Sequence, residues 1–202
     1  YAQSKIDAEA GISALATDDF SPAFLRNATA YGDSPALRVD LVANNLLASA
    51  LVYGEVRVMS DGTPWRPLIH CRDIARAFLA FAEAPRERVH GRAVNVGANE
   101  ENYQVRDVAE IAQELVPGST VVFTGEIGHD PRDYRVSFDL LGELLPEFRL
   151  EYTLQRGMEE LADHFARFGF SRADFEGDRF VRLRTLRNRM ELLDPPAVEA
   201  AQ

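Results

Sequence analysis

Tyr1 and Lys5 are the first residues of this chain that could do chemistry together. On a helix, positions four apart lie one turn from each other on the same face. An ammonium held beside a phenol favours the phenolate, and a tyrosine drawn down from its reference value of about 10 can exchange protons near neutral pH. Composition sharpens the pair, because Lys5 is the only lysine among 22 basic residues. Arginine offers a rigid fork and lysine a compact point charge, so lysine here suggests that the fork would not serve. The same spacing also fits a surface helix carrying an incidental Tyr/Lys pair.

Other reactive side chains have simpler readings. His70 sits beside Leu68 and Ile69 and reads as a core residue or one behind the site. Asp73 reads as the N-cap of a helix over 74–84. Cys71 reads as a small core residue, and Asn95 as a strand-end hydrogen bonder. His129, Asp130 and His164 show no repeated spacing of the kind a metal site uses, so no metal is expected.

These residues must be positioned by a folded body. The chain has 202 residues, 46% hydrophobic and 27% charged, which is globular in composition. Its net charge of −10 argues against a general nucleic-acid or anionic-membrane surface. No apolar run approaches the roughly 18 residues of a membrane span. One cysteine excludes an internal disulfide and points to a reducing, cytoplasmic setting. The chain opens without Met, inside an apparent helix, and reads as the C-terminal part of something longer.

Periodicity then places the elements. A helix runs over 1–16, and Thr17-Asp18-Asp19 breaks it. Residues 22–29 read as one short buried strand, ended by a turn at 32–35. A helix follows over 38–53, with Gly54 beyond its end. Residues 56–59 alternate as a strand, Asp61-Gly62 turns, and 67–70 is extended. Pro85 stops the helix over 74–84. Residues 93–97 form a strand, 105–115 an amphipathic helix and 120–123 a strand. Residues 128–135 form a polar loop. Helices follow over 140–145 and 154–168, the latter after Thr153. A last helix over 178–193 carries Arg179, Arg182, Arg184, Arg187 and Arg189, with Leu183, Leu186, Met190 and Leu193 on its other side. It reads either as an anion or partner site or as an amphipathic helix docked on its own body with a basic face in water. Strands alternating with helices predict an α/β fold with a largely parallel sheet.

The order of short motifs resembles a known family. Tyr1-x-x-x-Lys5 is followed by Leu25-Arg26-Asn27-Ala28-Thr29-Ala30-Tyr31-Gly32. Then come Arg66-Pro67-Leu68-Ile69-His70-Cys71-Arg72-Asp73, Asn95-Val96-Gly97, and Asp130-Pro131-Arg132-Asp133-Tyr134-Arg135. Over residues 1–168 this resembles the extended short-chain dehydrogenase/reductases, in particular the NAD-dependent nucleotide-sugar epimerases and dehydratases. The resemblance implies the C-terminal part of a Rossmann-type doubly wound parallel sheet with an interleaved, smaller substrate-binding domain. Residues 1–37 would end the NAD(P)-binding domain, 38–60 would enter the substrate domain and 61–97 would return. Residues 98–193 would form the substrate-binding domain and C-terminal helices, and 194–202 a disordered tail.

The resemblance also assigns roles. Tyr1 would be the catalytic acid/base, and Lys5 would hold the nicotinamide ribose and assist Tyr1. Thr29, Ala30 and Tyr31 would lie under the nicotinamide of NAD, with NADP not excluded. Arg66 and Arg132 would grip the diphosphate of a nucleotide-diphosphate sugar, helped by Thr29 and Asn44. A homodimer is plausible through the helix that carries Tyr1. Thr29 stands where many members have Asn, and Asp33 where many have Pro. The family's glycine-rich cofactor loop and catalytic Ser/Thr would precede Tyr1, so the chain alone is expected to be inactive. The expected activity is epimerisation through oxidation at sugar C4, with a 4,6-dehydratase, a 4-ketoreductase or a non-catalytic nucleotide-responsive regulator as alternatives.

Overall fold

The computed structural model describes residues 1–125 and 132–193. The chain opens with α1 (Ala2–Ser13), of which no residue is buried. The strand expected over 22–29 is two strands, β1 (Phe24–Asn27) and β2 (Thr29–Tyr31), divided at Ala28. They differ because they pair with different neighbours. β1 lies parallel to β5 (Ala93–Val96), while β2 lies parallel to β4 (Trp65–His70). β1 is also half exposed rather than buried, Arg26 and Asn27 facing solvent.

The helix expected from Arg38 begins only at Val42, as α2 (Val42–Tyr53). Asn44 and Asn45 explain the delay. Their side-chain amides donate to the carbonyls of Arg38 and Val39, both at 2.9 Å, and so hold 38–41 as a turn folded back on the helix start. Gly54 ends α2 in the left-handed region, at φ 67°. β3 (Glu55–Val58) follows at once, and Ser49 Oγ donates back to Glu55 O at 2.7 Å. β4 leads into α3 (Cys71–Glu83).

Asp73 does not cap that helix. α3 begins two residues earlier, and His70 is its cap, with Nδ1 accepting from the Arg72 N–H at 3.3 Å. Asp73 is fully buried and accepts instead from the N–H groups of Glu151 and Tyr152 and from Arg76. A short turn of helix, α4 (Arg86–Val89), precedes β5. β6 (Asn102–Gln104) then lies antiparallel to β4. α5 (Val105–Leu115) starts from a reciprocal cap between Gln104 and Asp107. β7 (Thr120–Phe123) lies parallel to β3. Beyond the polar segment come α6 (Asp139–Leu144), α7 (Leu154–Phe168), α8 (Arg172–Glu176) and α9 (Arg182–Leu193).

Two hydrophobic clusters hold these elements. One joins α2, β3, α5 and α7 through Leu47, Val56, Val108, Leu154, Leu161 and Phe165. The other joins β1, β5, α3 and α6 through Val94, Val96, Ala77, Phe81, Phe138 and Leu141. β4 is shared: Leu68 enters the first cluster and Ile69 the second, because neighbouring strand residues point to opposite faces.

The last helix is not docked as expected. Leu183, Leu186 and Met190 are 57%, 52% and 59% exposed. What anchors it is the segment just before: Phe180 and Val181 pack on the first cluster, and the Thr185 hydroxyl donates to Asp178 O at 2.6 Å.

Candidate functional site

Thr29, at the start of β2, and Arg66, in β4, stand on adjacent paired strands, where Thr29 is registered with Leu68. Both line a groove of about 340 Å³, and Arg132 lines it too. Three of the expected substrate-binding residues are thus brought together from segments up to about a hundred residues apart. The groove's other wall is apolar, from Leu41, Val42 and Leu46 of the α2 start to Val58, Met59 and Pro64.

Arg66 is fixed at the groove's edge. Its Nη1 donates to Trp65 O at 2.7 Å and also to Arg132 O, and its guanidinium lies 5.8 Å from the Tyr134 ring centroid. The segment bearing Arg132 is strapped to β4 in two further ways. The Trp65 N–H donates to Asp133 Oδ1 at 2.8 Å, and Arg135 lies over the Trp65 ring at 4.5 Å. Tight aromatic and backbone anchoring of a loop that offers guanidinium groups suits recognition of a diphosphate.

Arg57 and Asp40 complete the charged lining. Asp40 is engaged by both arms of Arg38, at 3.0 and 2.6 Å, and this pairing holds its carboxyl below the usual carboxylate range. The same bond raises the Arg38 guanidinium, burial opposes it, and the charges of Asp40 and Tyr1 add smaller contributions.

Asn44 is placed elsewhere. It is buried, its Oδ1 accepts from the Gly32 N–H at 3.0 Å and its Nδ2 serves Arg38 O. Asn45 lines the groove in its stead. Successive helix positions point about 100° apart, so only one of the two asparagines can face it. Asn45, Arg57, Asp40 and Tyr134 were not singled out in the sequence. Arg57 carried a signal, being the outward residue of an alternating strand, and Tyr134 sits two residues from Arg132.

Tyr1 is the residue at the head of α1 and is 95% exposed. Lys5 Nζ lies 5.4 Å from its ring centroid, so the two share one helix face as their spacing requires. The Tyr31 side chain is turned into the first hydrophobic cluster. It is buried, donates from its hydroxyl to Thr153 O at 3.0 Å, and is raised above the ordinary tyrosine value by burial. Ala30, half-buried between Thr29 and Tyr31, pairs with Ile69 on β4.

His70 is a core residue. It stacks on Tyr152 at 3.8 Å and meets Tyr31 edge-on at 5.4 Å. Burial lowers its pKa, and with Nδ1 accepting from Arg72 the proton of the neutral ring belongs on Nε2. Cys71 is half-buried, donates from Sγ to Asp33 O at 3.1 Å, and its thiol is pushed up by burial. Asn95 Nδ2 donates to Ser137 O at 3.2 Å. Among the described residues no group of three or more His, Cys, Asp and Glu side chains is placed to hold a metal ion, and none of the described helices is long and apolar enough to cross a membrane. His129, Asp130 and Pro131 lie outside the described residues, as does the tail 194–202.

Residues 1–97 match the model of the NAD dependent epimerase/dehydratase family. The fold is shared with solved structures of that kind. An NAD-dependent NDP-hexosamine 5,6-dehydratase of tunicamycin biosynthesis superposes with a TM-score of 0.69 at 22% identity, over 83% of this chain and 54% of its own. UDP-glucose 4-epimerase from Thermotoga maritima, solved with UDP-glucose, gives 0.70 at 20% identity, over 83% and 53%. UDP-glucuronic acid 4-epimerase from Bacillus cereus, solved with UDP-glucuronic acid and NAD, gives 0.61 at 22% identity, over 72% and 45%. The chain spans about half the length of the solved structures it matches. The chain therefore shares the Rossmann-type α/β fold of those structures, with parallel strand pairs.

Proposed function

We propose that this chain carries the acid/base pair and the substrate groove of an NAD-dependent nucleotide-sugar oxidoreductase, with epimerisation through sugar C4 as its reaction. The observation that carries the reading is the groove that gathers Thr29, Arg66 and Arg132 beside an apolar wall. Guanidinium groups there would grip a diphosphate, and the apolar wall with Tyr134 would accept the nucleoside. Thr29, which also lines the groove, would donate to the sugar.

The residues present fit NAD as cofactor. Tyr1 and Lys5 offer a hydroxyl and an ammonium on one exposed helix face, next to strands whose pairing is parallel. Ligands of such folds bind beyond the carboxyl ends of the strands. Lys5, Tyr1 and the backbone of Thr29, Ala30 and Tyr31 would hold it. When bound, the nicotinamide supplies the acceptor for the hydride leaving sugar C4. Tyr1 would take the proton of the C4 hydroxyl and later return one. Lys5 would place positive charge beside the Tyr1 ring, and Arg66 and Arg132 would fix the substrate so that C4 meets Tyr1.

The same reading divides the chain between a cofactor-binding body, over 1–37 and 61–97, and a substrate-binding body, over 38–60 and 98–193. It pairs two copies through α1, where Ile6, Ile12 and Leu15 are exposed. A single cysteine, half-buried, supports a cytoplasmic setting.

The experiment is to incubate the full-length protein with NAD and a panel of UDP-, dTDP-, GDP- and CDP-sugars, following products by mass and NMR, with Tyr1→Phe as control. The expected result is an isomer of unchanged mass that disappears in the variant. Loss of one water would make the protein a dehydratase. No turnover of any sugar by a protein that binds NAD would overturn the catalytic reading.

A further inference from the structure

The arginines of the last helix take no part in the groove that holds Arg66. Arg182 and Arg189 instead line a different cavity, of about 370 Å³, formed between the 35–38 turn and the start of α9. Arg38 and Arg179 line it as well, and Pro35, Leu37, Phe180 and Leu186 supply its apolar surface. No residue lines both this cavity and the groove. A second hollow of about 340 Å³ adjoins it and shares Pro35, Leu37, Arg179 and Phe180. Its wall is aromatic, with Phe165, Phe168 and Phe170. The carboxylate on that wall, Asp33, is held by His164 Nδ1 at 3.0 Å.

The charges are unequally satisfied. Arg38 is paired with Asp40. Arg179 lies 4.0 Å from Asp174 and 5.1 Å from the ring centroids of both Phe168 and Phe180. Among the described residues no carboxylate pairs with Arg182 or Arg189. This chain carries a net charge of −10, so four guanidinium groups around one concavity, two of them with no carboxylate within 4 Å among the described residues, run against its general trend. Gathering like charges costs self-repulsion, which a bound anion removes. Guanidinium forks match phosphate oxygens in geometry as well as charge.

We propose that this cavity is a second binding site, which takes an organic phosphate with an apolar body. The phosphate would sit among Arg38, Arg182 and Arg189. The body would pass Phe180 into the aromatic hollow. This site does not rest on the nucleotide-sugar reading: no residue lines both hollows, which meet at the Arg38–Asp40 pair, with Arg38 on this side and Asp40 on the groove.

The test is calorimetric titration of the full-length protein with phenyl phosphate, inorganic phosphate and benzyl alcohol. The variants are the double change Arg182→Gln/Arg189→Gln, Leu186→Asp, and Arg66→Ala as control for the groove. Glutamine keeps helix propensity close to that of arginine, so α9 is retained. Phenyl phosphate is expected to bind more tightly than inorganic phosphate, with benzyl alcohol not competing. Loss of two charge-assisted contacts is expected to weaken phenyl phosphate by about tenfold or more in the double variant. Leu186→Asp, which sets a carboxylate in the apolar wall, is expected to weaken it as well. Unchanged affinity in both α9 variants, or loss confined to Arg66→Ala, would overturn the proposal. Equal affinity for phenyl and inorganic phosphate would overturn the apolar half of the site.

Discussion

Arg66 donates to the backbone carbonyl of Arg132, a residue 66 positions later. The two guanidinium-bearing segments are thereby fixed to each other before any ligand arrives. A preorganised pair of this kind spends less ordering entropy on binding than two mobile side chains would.

The first prediction concerns that bond. Arg66→Lys keeps the charge but loses the planar guanidinium whose Nη1 donates to both Trp65 O and Arg132 O, so it should behave more like Arg66→Ala than like the native protein. Both should weaken UDP-sugar binding, by about 10-fold or more. Calorimetry with UDP or a UDP-sugar reads this directly, and full retention of affinity in the lysine variant would show that charge alone suffices.

Asp73 offers a stability test. Its fully buried carboxylate accepts from two backbone N–H groups and from Arg76. Asp73→Ala leaves those donors without a partner and should cost about 3 kcal/mol. Urea unfolding midpoints measure it, and a cost well under 1 kcal/mol would mean that water replaces the carboxylate at no penalty.

Glu101 makes a pH-dependent prediction. It is buried, accepts from the Leu154 N–H at 3.0 Å, and burial raises its pKa above the ordinary 4.5, with hydrogen bonds from Tyr103 and Leu154 opposing. A carboxyl raised on folding favours the native state at low pH, and that contribution fades as pH rises through the folded value. Glu101→Gln removes the titration. The stability of the native protein relative to this variant should therefore fall as pH rises above the ordinary carboxyl value of 4.5. Urea midpoints of the two proteins that track each other across this range would contradict the assignment.

Two glycines should respond oppositely to alanine. A Cβ on Gly157 would stand 2.6 Å from Tyr31 Cε2 and 2.9 Å from His70 Cδ2, atoms of buried rings with no room to move. Gly157→Ala should destabilise by about 1–3 kcal/mol. A Cβ on Gly142, in α6, would meet nothing within 4 Å, so Gly142→Ala should stabilise by up to about 1 kcal/mol. Thermal unfolding of the pair would show shifts of opposite sign.

How far the sequence could be read depended on the length of each signal. α5 and α7 were legible to the residue, because each shows a full apolar stripe and a capping residue at its start. β6, α4 and α8 were not, since three to five residues are too few to show a period. Ala28 divides a stretch that reads as one strand, because pairing partners lie far away in sequence. Asp73 looked like a cap since an acid before a helix usually is one; its partners at 151 and 152 are 78 and 79 residues away. Thr29, Arg66 and Arg132 were singled out through the order of their motifs, and the fold brings all three to one groove. Asn44 was not separable from Asn45, because the choice depends on where α2 begins.

β4 carries a last consequence. Leu68 and Ile69 serve opposite clusters, so the strand is a party wall between two rooms. Adding or removing one residue there would turn every later side chain of the strand to the wrong room. Both interiors would be spoiled by a single change in length. Length variation among natural or engineered versions of this chain should therefore spare the six residues from Trp65 to His70.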